Sequence, residues 1–256
     1  MLSKNKIKFI NSIKKKKYRD EHQCFFIEGE KLADELLKSN HQIIDFFATK
    51  EWILKNESNL YLKKVNAIEI SQEELHKISS LSTPNKVFAI ISQPKHSFSI
   101  NEIQNDLSIL LDNINDPGNL GTIIRIADWF GIKNIFCTTE SVDVYNPKVV
   151  QSTMGAIYRS KVHYVNFSLL FNQTKDLNDF NIYGTFLEGN NIYKEELSQK
   201  GFIIMGSESH GISEEWKKNV TKKLFIPNYP IDLKSSESLN ISVATAIVCS
   251  EFRRNA

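Results

Sequence analysis

Three loops in the second half of the chain gather residue types able to grip and polarise a ligand. Asp112-Asn113-Ile114-Asn115-Asp116-Pro117-Gly118-Asn119-Leu120-Gly121 follows an apolar run and leads into a helical pattern carrying Arg125. Met205-Gly206-Ser207-Glu208-Ser209-His210-Gly211-Ile212 follows another apolar run. A third loop comes after Ile226-Pro227 and ends in Ser236-Glu237-Ser238-Leu239-Asn240-Ile241-Ser242, at the start of the last helical pattern. Asn and Ser supply short donors and acceptors, Gly supplies unobstructed backbone, and Arg125 and Glu208 supply one charge of each sign. In open α/β sheets ligands bind at the carboxyl ends of the strands, so three such loops after successive strands argue for one composite site. Gly206 and Gly211 have the spacing of a phosphate-binding loop, with Ser213 at its hydroxyl position. Ile212 replaces the lysine that would meet the phosphates, which argues against nucleotide hydrolysis. No G-x-G-x-x-G occurs, so a Rossmann dinucleotide loop is absent. No cluster of His, Cys and carboxylates implies a metal.

Each of these residues also has a plainer reading. Asn113 and Asn119 can shape turns, because Asn tolerates unusual backbone angles. Arg125 can serve a surface ion pair. Glu208 can offset the dipole of a helix over 213–219, or orient Arg125 and loop amides. Ser238 is expected both to cap the final helix and to touch substrate, and Asn240 can be a first-turn residue. His210 reads as an exposed loop histidine. Tyr158 and Arg159 are candidates for lining a substrate face.

The elements that must position these loops alternate in type. Residues 1–95 carry a helical pattern around Ile7, Ile10 and Ile13, a strand at Phe25–Gly29 and a helix over 30–38. A strand at Ile43–Ala48, a helix over 72–80 and a strand at Val87–Ile91 follow. This predicts a small α/β domain. After a linker near 93–104, strand-like runs recur at 108–112, 134–138, 182–185, 202–205 and 223–226, with helices between them. The last helix is expected over 239–254, with Ile241, Ala244, Ile247, Val248 and Phe252 on its buried face. Buried apolar strands alternating with helices predict a mostly parallel sheet covered on both sides, in a second domain over 105–256.

The chain has 256 residues, 41% hydrophobic and 24% charged, the composition of an ordinary soluble domain pair. No apolar run approaches the roughly 20 residues of a membrane span. The polar N-terminus lacks a signal-peptide core. Cys24, Cys137 and Cys249 are few, scattered and odd in number, which fits free thiols in the cytoplasm. Net charge is only +2, yet residues 1–19 hold seven lysines and Arg19 with no acid, including Lys14-Lys15-Lys16-Lys17. This cluster is a candidate polyanion contact, or else a solvated helix end.

The three loops together resemble one family. Asn113, Asp116-Pro117, Asn119, Gly121, Arg125, Ala127 and Phe130-Gly131 match N-x-x-D-P-x-N-x-G-x-x-x-R-x-A-x-x-F-G. Gly206, Glu208 and Gly211 match G-x-E-x-x-G, and Ile226-Pro227 with Ser238–Ala244 match a third motif. These are signatures of the SpoU (TrmH) RNA 2′-O-methyltransferases of the SPOUT group. Two departures stand out: Asn228–Ser235 is longer than usual and lacks a glycine, and Ser209 stands where glycine is frequent. The resemblance implies an α/β methyltransferase domain with a parallel-rich sheet and a deep trefoil knot, preceded by a small RNA-binding domain. It implies methyl transfer from S-adenosylmethionine to a ribose 2′-hydroxyl of rRNA or tRNA, by a cytoplasmic homodimer needing neither metal nor membrane. By motif position it implies catalytic roles for Arg125, Asn119, Glu208, Ser238 and Asn240. It likewise implies cofactor contacts at Gly206, Ile226 and Leu239; with RNA as the polyanion, the charge of the N-terminal run makes Lys14, Lys15, Lys16, Lys17 and Arg19 the candidate RNA contacts. An alternative is a non-catalytic RNA-binding or ribosome-assembly protein on a degenerate scaffold of this type.

Overall fold

The computed structural model describes residues 2–229 and 238–254. The helices, in chain order, are α1 (Lys4–Ser12), α2 (Lys16–His22), α3 (Glu30–Lys38), α4 (Lys50–Lys55), α5 (Glu57–Leu62) and α6 (Gln72–Ile78). They continue as α7 (Ile100–Asn105), α8 (Pro117–Trp129), α9 (Pro147–Thr153), α10 (Phe167–Thr174), α11 (Glu214–Lys217) and α12 (Ile241–Arg253). The strands are β1 (Cys24–Glu28), β2 (Ile43–Ala48), β3 (Ala67–Glu69), β4 (Val87–Ser92), β5 (Leu107–Leu111) and β6 (Asn134–Cys137). Then follow β7 (Lys161–Tyr164), β8 (Ile182–Phe186), β9 (Asn190–Asn191), β10 (Gly201–Met205) and β11 (Lys222–Phe225). No described helix is long and apolar enough to cross a membrane.

Two compact units result: Met1–Lys95 with Asp143–Tyr158, and His96–Val142 with Arg159–Ala256. In the first, β4 runs antiparallel to both β1 and β2, giving the order β1-β4-β2-β3. Every residue of β1 is buried, as are all but the last of β4, which is why these runs read as continuously apolar. Ile10, Ile13, Phe26, Phe47, Ile78, Phe88 and Ile90 form the core against one face of this sheet. The segment 143–158 is integral to this unit. Its α9 packs on β1, and Tyr145 stacks on Phe25 with ring centroids 4.7 Å apart.

Among the described residues the second unit holds seven parallel strands in the order β7-β6-β5-β10-β8-β11-β9. The chain builds outward from β5 through β6 to β7, then returns to lay β8, β10 and β11 on the other side. The order therefore reverses beside β5, and β10 pairs directly with it, Met205 opposite Leu111. Such a switch point opens a crevice at the carboxyl ends of the strands. The first two motif loops leave from these two adjacent ends. The five strands expected from the sequence here are present to within a residue. Strand β7 has no comparable signal, because Lys161-Val162-His163-Tyr164 is a half-polar edge strand, and β3 and β9 are too short to show a pattern.

The last helix differs from expectation in two ways. It begins at Ile241 and is capped by Asn240, whose Oδ1 accepts from the amides of Ser242 (3.0 Å) and Val243 (3.4 Å). Ser238 lies two residues before this cap and does not serve it. The buried stripe is Ile241, Ser242, Thr245, Val248, Cys249 and Phe252, while Ala244 and Ile247 are only half-buried. Two polar residues occupy that stripe because buried hydroxyls need partners and these have them. Thr245 Oγ1 donates to the Ile241 carbonyl at 2.7 Å, and Ser242 reaches α8. Of the long third loop, residues 230–237 lie outside the described residues.

Candidate active site

The first loop is shaped locally. Asn113 adopts a left-handed backbone (φ 57°), and its N–H donates to Thr138 Oγ1 at 2.9 Å. Asn tolerates that conformation better than most residues. Asp116 caps α8 by accepting from the Asn119 amide at 2.7 Å, with Pro117 pre-set for the first helical turn. The second loop closes on itself through a pair of bonds between Ser207 and Gly211. It is pinned to the first by the buried Asp112, whose Oδ2 accepts from the Ser213 amide at 2.7 Å. Gly206 is where that closure is tightest. A Cβ there would lie 2.1 Å from the Gly211 carbonyl carbon and 2.2 Å from the Ile212 nitrogen. Close approach of a ligand is the reason the sequence suggests for this glycine; its own loop already requires it.

Glu208 stitches the three loops together. Its Oε1 accepts from Asn119 Nδ2 (3.2 Å), Asn240 Nδ2 (2.7 Å) and the Ile241 amide (3.2 Å). Asn240 Nδ2 also donates to Asn119 Oδ1 at 3.0 Å, and Ser242 Oγ donates to the same oxygen at 3.1 Å. Asn119, Glu208 and Asn240, separated by up to 121 residues in sequence, thus form one bonded cluster. Of the roles weighed for Glu208, orienting the loop amides is the one present, and it makes no bond to Arg125.

Arg125, on the third turn of α8, is exposed and has no hydrogen-bond or ion-pair partner among the described residues. Ser238 is exposed too, with its hydroxyl unbonded among those residues, and Leu239 is 44% exposed. Ile226 is half-buried just past β11. His210 is exposed and bonded to Ser209 Oγ at 2.8 Å, as an ordinary loop histidine would be. Arg159 grips Asp128 through Nε and Nη2, and Tyr158 is buried with its hydroxyl on the Leu32 carbonyl, so neither is a free RNA contact. Ser242, Asp112 and Asp116 are structural members of the site that the sequence does not single out for a role. Each lies inside a motif loop, but only the fold reveals what it holds.

In the first unit the basic cluster is partly engaged. Arg19 departs from the RNA-contact expectation. It is 2% exposed, with Nη2 on Asp143 at 2.7 Å and Nη1 on the carbonyls of Ile13 and Lys14, so its guanidinium is engaged within the fold and is not presented to RNA. Lys14 Nζ donates to the Ser79 carbonyl at 2.8 Å, and burial lowers its pKa. Lys16 pairs with Asp20 at 2.6 Å, whereas Lys15 and Lys17 are exposed.

The family model of the SpoU rRNA methylases matches residues 106–250, more than half of the chain. The chain belongs to this family. The model of the MRM3-like substrate binding domain matches residues 4–89. The chain is 28% identical over 252 residues to the 23S rRNA (guanosine(2553)-2′-O)-methyltransferase RlmP of Bacillus subtilis, covering 97% of this chain and 96% of that protein. A TrmH-family protein from Porphyromonas gingivalis superposes with a TM-score of 0.86 at 35% identity, over 100% of both chains. An AdoMet-bound rRNA methyltransferase from Sinorhizobium meliloti superposes with a TM-score of 0.85 at 25% identity, over 99% of this chain and 96% of that one. This SpoU-family chain is therefore an S-adenosylmethionine-dependent RNA 2′-O-methyltransferase. Its carboxyl edge suits that cofactor. Leu239, 44% exposed, and Ile226, half-buried, leave apolar surface there of the kind an adenine face packs against.

Proposed function

We propose that this enzyme methylates the ribose 2′-hydroxyl of a guanosine in large-subunit ribosomal RNA, as a cytoplasmic homodimer whose methyltransferase segment carries a deep trefoil knot. The carrying observation is an exposed, unpartnered Arg125, among the described residues, on the helix that Glu208 ties to the other two loops. The choice of rRNA follows the likeness to RlmP along nearly the whole of both chains. The dimer is supported by apolar surface left open on two helices that pack together, Trp129 at 85% on α8 and Val243 at 50% on α12. Open apolar surface of this kind marks places where a partner docks.

In this reading Gly206, Ile226 and Leu239 hold S-adenosylmethionine, which supplies a methyl carbon already activated by its sulfonium. The chain's own residues do the rest. Alignment of the two reactants can contribute about 7–11 kcal/mol to such a displacement. An arginine with a pKa above about 12 is a poor proton acceptor. Arg125 therefore stabilises the developing alkoxide and the adjacent phosphate, and Ser238 positions the ribose. Asn119, Glu208 and Asn240 keep the loops that carry them in register.

The test is transfer of radiolabelled methyl groups to rRNA and to tRNA by the purified chain, with ribose-methylation mapping in cells lacking it. One lost 2′-O-methylguanosine in large-subunit rRNA is expected. Loss of a tRNA mark instead would overturn the substrate. Cofactor binding without transfer to any RNA would favour the non-catalytic alternative.

A further inference from the structure

The hydrogen bonds at the loop junction fix which way the Asn119 amide faces. The logic starts at Asn240. Its Oδ1 accepts from the backbone amides of Ser242 and Val243, which can only donate, so its other terminal atom is the nitrogen. That nitrogen donates to Glu208 Oε1 and to Asn119, which makes the Asn119 atom it meets the carbonyl Oδ1. The remaining Asn119 atom is Nδ2, and it faces Glu208 Oε1, a carboxylate oxygen that accepts. Ser242 Oγ then completes the arrangement. It is buried at 5% exposure and directs its single proton at Asn119, 3.1 Å from Oδ1 and 3.3 Å from the backbone carbonyl.

Asn119 Oδ1 thus faces two donors, Asn240 Nδ2 and Ser242 Oγ, and the hydroxyl oxygen lies nearer to it than to the backbone carbonyl. One of the two Nδ2 hydrogens goes to Glu208, and the other has no partner among the described residues. Asn119 is half-buried and so still reachable. It can give a hydrogen bond to a ligand and cannot accept one. We propose that Ser242 is a positioning residue which, by holding Asn119 Oδ1, makes Asn119 present an N–H to an oxygen of the RNA ribose-phosphate backbone. Asn119 is then excluded as acceptor of the 2′-hydroxyl proton. This role rests on the RNA methyl transfer proposed above for the substrate, but the side-chain lock can be read without RNA.

Two experiments test it on the full chain. In the first, ¹⁵N-labelled protein with and without Ser242→Ala is compared for the side-chain amide of Asn119, assigned with Asn119→Ala. The wild-type pair should be well separated and slowly exchanging, and should shift and exchange faster in Ser242→Ala. An unchanged pair overturns the lock. In the second, single-turnover methylation is followed through a double-mutant cycle. Ser242→Ala should lower the rate about tenfold, the scale of one lost hydrogen bond, with S-adenosylhomocysteine affinity unchanged. Ser242→Thr, which keeps the hydroxyl, should restore most of that loss. In an Asn119→Ala background, Ser242→Ala should cost nothing further, because Ser242 acts through Asn119. Additive losses would make Ser242 merely structural and overturn the proposal. A wild-type chain that locks Asn119 yet methylates no RNA would sink the proposed function and leave the lock standing.

Discussion

Arg125 differs from the motif residues around it in having its whole donor fork available. Asn240 is saturated by its cap and cluster bonds, and Glu208 Oε1 takes three donors, whereas the guanidinium is exposed and unpaired among the described residues. A group that stabilises charge only as it develops should cost turnover rather than ground-state binding when removed. Arg125→Ala is therefore expected to slow single-turnover methylation on the order of 100-fold or more, as loss of a preorganised donor does, while S-adenosylhomocysteine binding stays near normal. Arg125→Lys should recover little, since a point-charge ammonium cannot reach hydroxyl and phosphate with one planar fork. Near-wild-type transfer by the alanine variant would remove Arg125 from the chemistry. A loss fully explained by weaker RNA binding would make it a phosphate contact. The types and order of these residues are readable from sequence, because motif spacing is local information. Their partners are not: that Asn240 rather than Ser238 caps α12 depends on where the helix starts, and that Glu208 meets Asn119 depends on two strands being neighbours.

At the level of elements, the second loop shows why a correct residue can carry the wrong reason. Gly206 stands out in the sequence as a glycine after a buried strand, and a ligand approaching backbone is a sufficient cause. The loop geometry supplies a nearer one, with Gly211 and Ile212 occupying the space of any side chain. Gly206→Ala should force the Ser207–Gly211 closure open and displace Glu208, so the melting temperature and cofactor affinity should fall together. Calorimetry finding lost affinity in a variant with unchanged melting would return the glycine to a purely ligand-facing role. The edge strand β7 makes a different point. His163 is 7% exposed, stacks on Phe136 at 5.0 Å and meets Asn134 Oδ1 at 3.3 Å. Burial first, then His96 and Lys161, pulls its pKa down to about 4, with Glu102 opposing. The unfolded chain binds this proton near pH 6.5 and the folded one only near 4. The contribution of His163 to stability is therefore complete above about pH 6.5 and is lost as the pH falls towards about 4. His163→Gln should flatten that part of the acid-stability curve measured by chemical denaturation. An unchanged curve would mean that His163 titrates alike in both states. Nothing in Lys161-Val162-His163-Tyr164 as a string distinguishes a buried histidine from an exposed one, because the distinction belongs to what packs over it.

For the whole molecule, a chain of net charge +2 must hold a polyanion through a local surface, since its overall field is weak. The N-terminal basic run is the obvious source by composition, and the structure divides it into two kinds of charge. Arg19 is withdrawn from solvent by Asp143 and two carbonyls, linking α2 to the segment 143–158 within the first unit. Lys15 and Lys17 remain exposed, while Lys14 and Lys16 are bonded to Ser79 and Asp20. These classes should separate experimentally. If Lys15 and Lys17 each neutralise a phosphate, Lys15→Ala with Lys17→Ala should weaken RNA binding and reduce the slope of log K against log salt by about 1 to 2, since each released counterion contributes about 0.7–0.9. Cofactor affinity should not move. Arg19→Ala should leave the slope as it is and instead destabilise the fold by about 3–5 kcal/mol, because it strands the partly buried Asp143 carboxylate. Binding titrations across a salt series, paired with denaturant melts, read both quantities on the same proteins. An unchanged slope in the double lysine variant would make this run a solvated helix end. A slope change in a fully folded Arg19 variant would mean that the ion pair opens to meet RNA.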